Sequence, residues 1–134
     1  MDEIRLAHCE LTPQLPQDSK PTIIILHANS LCSKVYMPLV DVWKHRFRCI
    51  GIDSPGQGES PISVWLQHIG PLTSEGMAHA VHNTILSLDL PEAPFVFGHS
   101  LGGALALLVE SLWPGTFRAI WVFEAPIVSC DSQA

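Results

Sequence analysis

The pentapeptide Gly98-His99-Ser100-Leu101-Gly102 holds the strongest chemical signal in this 134-residue sequence. A serine with glycines at i−2 and i+2 suits a sharp, strained turn, because the glycines keep other side chains clear of the hydroxyl. The flanks supply such a turn. Phe95-Val96-Phe97 reads as a strand, and the Ala- and Leu-rich run from Leu101 to Trp113 reads as a helix stopped by Pro114-Gly115. The helix start would set free N–H groups and a positive dipole end beside Ser100, where negative charge forms if the hydroxyl attacks a carbonyl. That chemistry is acyl transfer through a serine nucleophile. Three further polar positions, His27-Ala28-Asn29, Asp53 and Glu124, each follow an apolar run.

The elements that must position these residues alternate. Thr22-Ile23-Ile24-Ile25-Leu26 and Arg48-Cys49-Ile50-Gly51-Ile52 are short runs without polar alternation, as expected of strands covered on both faces. Val35 to His45 predicts a helix, with Val35, Leu39, Val42 and Trp43 as its apolar residues. Thr73-Ser74-Glu75 opens a second helix running to about Leu88, with Met77, Val81, Ile85 and Leu88 on one face. Ala119 to Phe123 is a fourth strand, and residues 54–71 read mostly as loop. This alternation predicts an α/β fold, an open, mainly parallel sheet with helices on both faces. In such sheets ligands bind beyond the carboxyl ends of the strands, where all the polar positions fall. Residues 1–20 form an N-terminal segment in which Ile4 to Leu11 could add an edge strand; residues 21–134 form the α/β domain.

Composition narrows the function classes. Charged residues are 15% of the chain and apolar residues 47%, which excludes disorder. Seven Lys and Arg against thirteen Asp and Glu give a net charge of −6 without a basic cluster, so nucleic acid is not an expected partner. The longest uninterrupted apolar stretch, Ala104 to Val109, is six residues, too short for a membrane span. The N-terminus has neither the basic nor the apolar region of a secretory signal, and four dispersed cysteines read as reduced thiols, so a cytoplasmic protein is expected. His79 and His82 share a helix face without a third ligand, so no metal is expected there and a solvated face is the reading. Cys32 reads as a buried or bystander thiol, and Trp43, Trp65, Trp113 and Trp121 as residues of the core or of a substrate-facing wall, with Trp65 alone considered for substrate contact.

Taken with their order, the motifs resemble the α/β-hydrolase fold superfamily. Leu26-His27-Ala28-Asn29 is similar to its oxyanion segment, with Ala28 where glycine is usual. Asp53-Ser54-Pro55-Gly56-Gln57-Gly58-Glu59-Ser60 is similar to the turn after its fourth strand, and Gly98 to Gly102 to its nucleophile elbow. The resemblance implies a serine hydrolase acting on a small-molecule ester or related acyl substrate without a cofactor. Ser100 would be the nucleophile, and the backbone N–H groups of Asn29 and Leu101 the oxyanion donors. His27 would order its loop, and Asp53 and Gly56 would hold a turn. The family's triad runs Ser, then Asp or Glu, then His. None of the seven histidines follows Ser100. Glu124 stands where some members place their acid, and a carboxylate bonded to a loop is its plainer reading. The chain is therefore expected to be the N-terminal part of such a domain, truncated after the sixth strand of that fold, with the triad base missing. Ala119 to Phe123 would then be an apolar edge open to self-association. The alternative is a catalytically inactive relative that binds a ligand or partner.

Overall fold

The computed structural model describes residues 4–13, 19–61 and 73–126. Strands β1 (His8–Glu10), β2 (Thr22–Leu26), β3 (Arg48–Ile52), β4 (Phe95–His99) and β5 (Ala119–Phe123) form one sheet in the order β1-β3-β2-β4-β5. Pairing is parallel from β3 through β5, and β1 closes the other edge antiparallel to β3. The edge strand expected within Ile4 to Leu11 is thus the three residues of β1. The helices are α1 (Met37–Trp43), α2 (Ser74–Ser87) and α3 (Leu101–Leu112).

Alternate residues of the central strands face opposite layers. Ile24, Leu26, Ile50, Ile52 and Val96 pack with Met77, Val81 and Ile85 of α2 and with Leu105, Ala106 and Val109 of α3. Ile23, Ile25 and Cys49 pack on the other face with Tyr36 and Val40. Every residue of β2 is buried, which explains its unbroken β-branched run. Burying one Ile or Val side chain contributes roughly 1.5–3 kcal/mol, so this strand anchors the sheet. Helices on both faces of an open, mainly parallel sheet make this the α/β architecture expected from the sequence. Among the described residues no helix is long and apolar enough to cross a membrane.

The first helix departs from expectation. A 3-10 turn at Ser33–Tyr36 precedes α1, and the fully buried residues are Tyr36 and Val40 rather than Val35, Leu39 and Val42, whereas Trp43 packs inward on Phe97 as expected. Val42 is 72% exposed and Val40 1%. Apolar residues lie all around this short helix, so spacing alone chose the wrong stripe, and tertiary contact with Ile23 and Ile25 decided it. The solvated face expected for His79 and His82 holds for His79, which is exposed, whereas His82 is half-buried. Both rings lie against Trp113, His79 edge-on at 4.6 Å and His82 stacked at 4.2 Å. Burial, then the charge of His79, lowers the His82 pKa. Trp65 lies outside the described residues.

Candidate active site

Ser100 occupies the single residue between β4 and α3, at φ 54 and ψ −116. Its N–H donates to the Phe123 carbonyl at 2.8 Å, and its own carbonyl accepts from Gly103 and Ala104 at 2.9 and 3.2 Å. The corner is therefore held from both sides by backbone. Ser30 and Glu124 also have positive φ, at 66 and 54. Three of the four described non-glycine residues with positive φ thus lie at the carboxyl edge of the sheet, following β2, β4 and β5, the fourth being Asp89 after α2, and such outliers persist only where neighbours over-determine them.

Two glycines let the elbow close. A Cβ on Gly98 would lie 2.5 Å from Gly103 Cα, so strand and helix meet at backbone contact. A Cβ on Gly102 would lie 2.0 Å from the Leu26 carbonyl oxygen and 2.8 Å from that of His27. The first turn of α3 is thereby seated on the end of β2, where the loop bearing Asn29 begins.

That loop is bolted down residue by residue. His27 Nε2 accepts the Ser54 N–H at 2.9 Å, and its Nδ1 lies 2.7 Å from the Ala28 carbonyl, so this buried imidazole is engaged at both nitrogens. The Ala28 N–H donates to the Tyr36 hydroxyl at 3.0 Å. The same hydroxyl lies 2.7 Å from His99 Nδ1, linking this loop to the residue before Ser100. The Ser30 N–H donates to Gln57 Oε1 at 2.6 Å, and the Leu31 N–H to the Ala28 carbonyl at 3.1 Å. Between these satisfied amides, the Asn29 N–H has no acceptor among the described residues. Neither has the Leu101 N–H.

Asp53 organises the turn opposite. Its Oδ1 accepts from the Ser33 N–H at 2.9 Å and the Ser33 hydroxyl at 2.8 Å, and its Oδ2 accepts from the Glu59 N–H at 3.1 Å. Ser60 Oγ donates to the Asp53 carbonyl at 2.7 Å and accepts the Ala7 N–H. Gly58 has φ +53, and a Cβ there would strike the Asp53 carboxylate at 2.3 Å, so only glycine fits. Burial, the largest single influence on Asp53, raises its pKa. The bonds from Ser33 and Glu59, with His27 nearby, outweigh it and hold the carboxyl below its ordinary value. A depressed folded-state pKa means stability that is present above the unfolded value, near 3.8, and is lost as pH falls through the folded one. Asp53→Asn is therefore expected to cost about 2 kcal/mol at pH 7 and progressively less toward pH 3, measured by urea unfolding.

The remaining candidates fall as follows. Glu124 follows β5, and its exposed carboxylate has no hydrogen bond or ion pair among the described residues. Cys32 is half-buried beside the loop; Cys49 lies in the core, where burial and then Glu10 push its thiol up to about 11. No three His, Cys, Asp or Glu side chains among the described residues form a metal site. A hollow of about 320 Å³ lined by Tyr36, Leu39, Phe97, His99 and Phe123 lies beside the elbow residue His99. The larger hollow at Trp113 and His82, about 440 Å³, lies at the amino end of β4, away from Ser100. Sequence reasoning missed Tyr36 and Gln57. The glycines on either side of Gln57 gave a turn but no partner, and Tyr36 gave no signal at all.

The fold is shared with known proteins. Residues 21–127 match the family model described as alpha/beta hydrolase fold. No curated protein sequence matches. Among solved structures, a marine microorganism esterase shares 25% identity with a TM-score of 0.73, covering 89% of this chain and 41% of its own. The Paleococcus ferrophilus monoacylglycerol lipase shares 19% at a TM-score of 0.69, covering 94% and 45%. A probable hydrolytic enzyme from Pseudomonas aeruginosa shares 22% at 0.72, covering 90% and 36%. The chain thus spans less than half the length of each of these structures. With a family match over most of its length and the same fold in each of these structures, the chain belongs to the alpha/beta hydrolase fold family.

Proposed function

We propose that Ser100 is the nucleophile of a serine hydrolase acting on ester or related acyl substrates. The observation that carries this reading is the left-handed backbone of Ser100 between β4 and α3, pressed against the end of β2 by Gly102. In the first step the Ser100 oxygen bonds to the substrate carbonyl carbon, and its proton passes to a base and then to the departing alcohol. Water then repeats the attack on the acyl-enzyme and releases the acid. The oxyanion of each tetrahedral intermediate is received by the N–H groups of Asn29 and Leu101, neither of which has an acceptor among the described residues. Such a donor typically contributes about 2.7–4 kcal/mol to the transition state. The buried His27 is not the base, because both of its ring nitrogens are engaged, by Ser54 and Ala28. Glu124, which follows β5 at the same edge of the sheet, is the carboxylate proposed for the acid role. The esterase and lipase likenesses support the substrate class. A fluorophosphonate probe tests the reading: labelling at Ser100 supports it, whereas a folded sample that stays unlabelled supports a non-catalytic binding protein.

We also propose self-association through β5. Among the described residues this strand pairs with β4 alone, and Trp121 and Phe123 are 48% and 52% exposed. Antiparallel pairing of two copies about Trp121 would set Arg118 opposite Glu124 of the second copy, so the ends of the ladder carry complementary charges. Such an apolar edge without a blocking charge invites pairing. Sizing over a range of concentrations is expected to show a dimer or larger species that Val122→Lys returns to monomer. A concentration-independent monomer overturns the proposal.

A further inference from the structure

We infer that Gln57 is a positioning residue for the oxyanion donor at Asn29, an inference that rests on the serine hydrolase reading above. Its carboxamide reaches across from the Asp53–Ser60 turn to the β2 loop and makes two bonds at adjacent residues. Oε1 accepts the Ser30 N–H at 2.6 Å, and Nε2 donates to Asn29 Oδ1 at 3.2 Å. Ser30 sits at φ 66, a conformation that costs a non-glycine residue on the order of 1 kcal/mol and needs an external hold. Gln57 supplies that hold. With Ala28 fixed by Tyr36 on one side and Ser30 by Gln57 on the other, the intervening peptide has little freedom, and the Asn29 N–H is kept out of any local hydrogen bond.

The support behind Gln57 is itself rigid. Gln57 N–H donates to the Ser54 carbonyl at 3.0 Å, its carbonyl accepts from Ser60 at 3.1 Å, and Gly56 N–H donates to the Ser60 carbonyl at 2.7 Å. Asp53 ties this turn to Ser33, at the far end of the same loop. The side chain of residue 57 is thus presented from a fixed platform, and its length and its paired donor and acceptor match the two groups it meets. Displacing a catalytic group by about 1 Å is enough to cost up to 10²-fold in rate. Loss of this clamp is expected to fall below that limit because the Tyr36 bond remains.

The test uses Gln57→Leu, which removes both bonds at similar size, and Gln57→Glu, which keeps the acceptor for Ser30 and loses the donor to Asn29. In Gln57→Leu, amide exchange at Ser30 is expected to accelerate about tenfold, as for loss of one hydrogen bond, with Leu101 to Ala104 unchanged. The maximal labelling rate of Ser100 by a fluorophosphonate is expected to fall about tenfold with the probe's binding constant within twofold, and Gln57→Glu to fall between wild type and Gln57→Leu. A merely structural role would move exchange but leave the labelling rate alone. Unchanged Ser30 exchange, or an unchanged labelling rate while Ser100→Ala abolishes labelling, overturns the positioning role by itself. Labelling that is absent from the wild type, or that survives Ser100→Ala, overturns the serine hydrolase reading and this inference with it.

Discussion

Ester hydrolysis by the protein is expected to fall on the order of 10⁶-fold when Ser100 becomes alanine, and fluorophosphonate labelling to vanish. The size follows from what the change removes and what it leaves. It removes the only oxygen at the corner between β4 and α3 that can bond to a carbonyl carbon, so no acyl-enzyme forms. It leaves the backbone that shapes the corner, because the bonds from Ser100 N–H to Phe123 and from Gly103 and Ala104 to the Ser100 carbonyl involve no side-chain atom. The amides of Asn29 and Leu101 also stay in place, so a residual rate roughly 10³–10⁴ above water is expected from binding and charge stabilisation. Serine and alanine meet nearly the same steric cost at φ 54, so the urea midpoint should move little. A loss of activity below tenfold would put the chemistry elsewhere on the molecule. A large loss accompanied by unfolding would mean that the hydroxyl supports the elbow rather than reacts from it.

Much of this corner is legible in the sequence because local and tertiary demands coincide there. Gly98 and Gly102 are needed by backbone contact, and such contact selects one residue type, so the elbow announces itself. The unbroken run Thr22 to Leu26 likewise reports burial on both faces directly. What was hidden depends on partners distant in the chain. Tyr36 touches Ala28 and His99, 63 residues away in the latter case, through a hydroxyl whose bonds no spacing rule foretells. Gln57 reaches Asn29 and Ser30 across two loops. The stripe of α1 was misread for a related reason: Val35, Leu39 and Val42 are as apolar as Tyr36 and Val40, and only the position of β2 chooses between the two sides. The half-burial of His82 is hidden in the same way, because its stacking partner, Trp113, lies beyond the next strand and helix. Motifs built on backbone geometry survive in one dimension, whereas side-chain clamps between loops do not.

The same backbone contact makes Gly102→Ala the most damaging single-methyl change expected in the core of this fold. A Cβ there would stand 2.0 Å from the Leu26 oxygen, 2.5 Å from the Leu26 carbonyl carbon and 2.8 Å from the His27 oxygen. All three are main-chain atoms of a buried strand end, and β2 is paired by β3 on one side and β4 on the other, so they cannot yield. Helix α3 must therefore move instead, against its packing on Ile24, Leu26 and Val96. Overpacking of this kind costs about 3 kcal/mol, beyond the roughly 1 kcal/mol that alanine regains over glycine within a helix. Gly103→Ala is the control. Its Cβ would meet Val122 Cγ1 at 2.7 Å and stand 3.0 Å from Ala125 Cβ and the Gly98 oxygen, so the one contact under 3 Å is with a side-chain methyl on β5, and helix propensity offsets much of the strain. Urea unfolding should thus show Gly102→Ala far less stable than wild type and Gly103→Ala within about 1 kcal/mol of it. Labelling of Ser100 should separate the pair in the same order, since any retreat of α3 from β2 carries the Leu101 amide away from Asn29. Equal stability of the two variants would show that α3 does not rest on the end of β2, and the two amides would then have no common target.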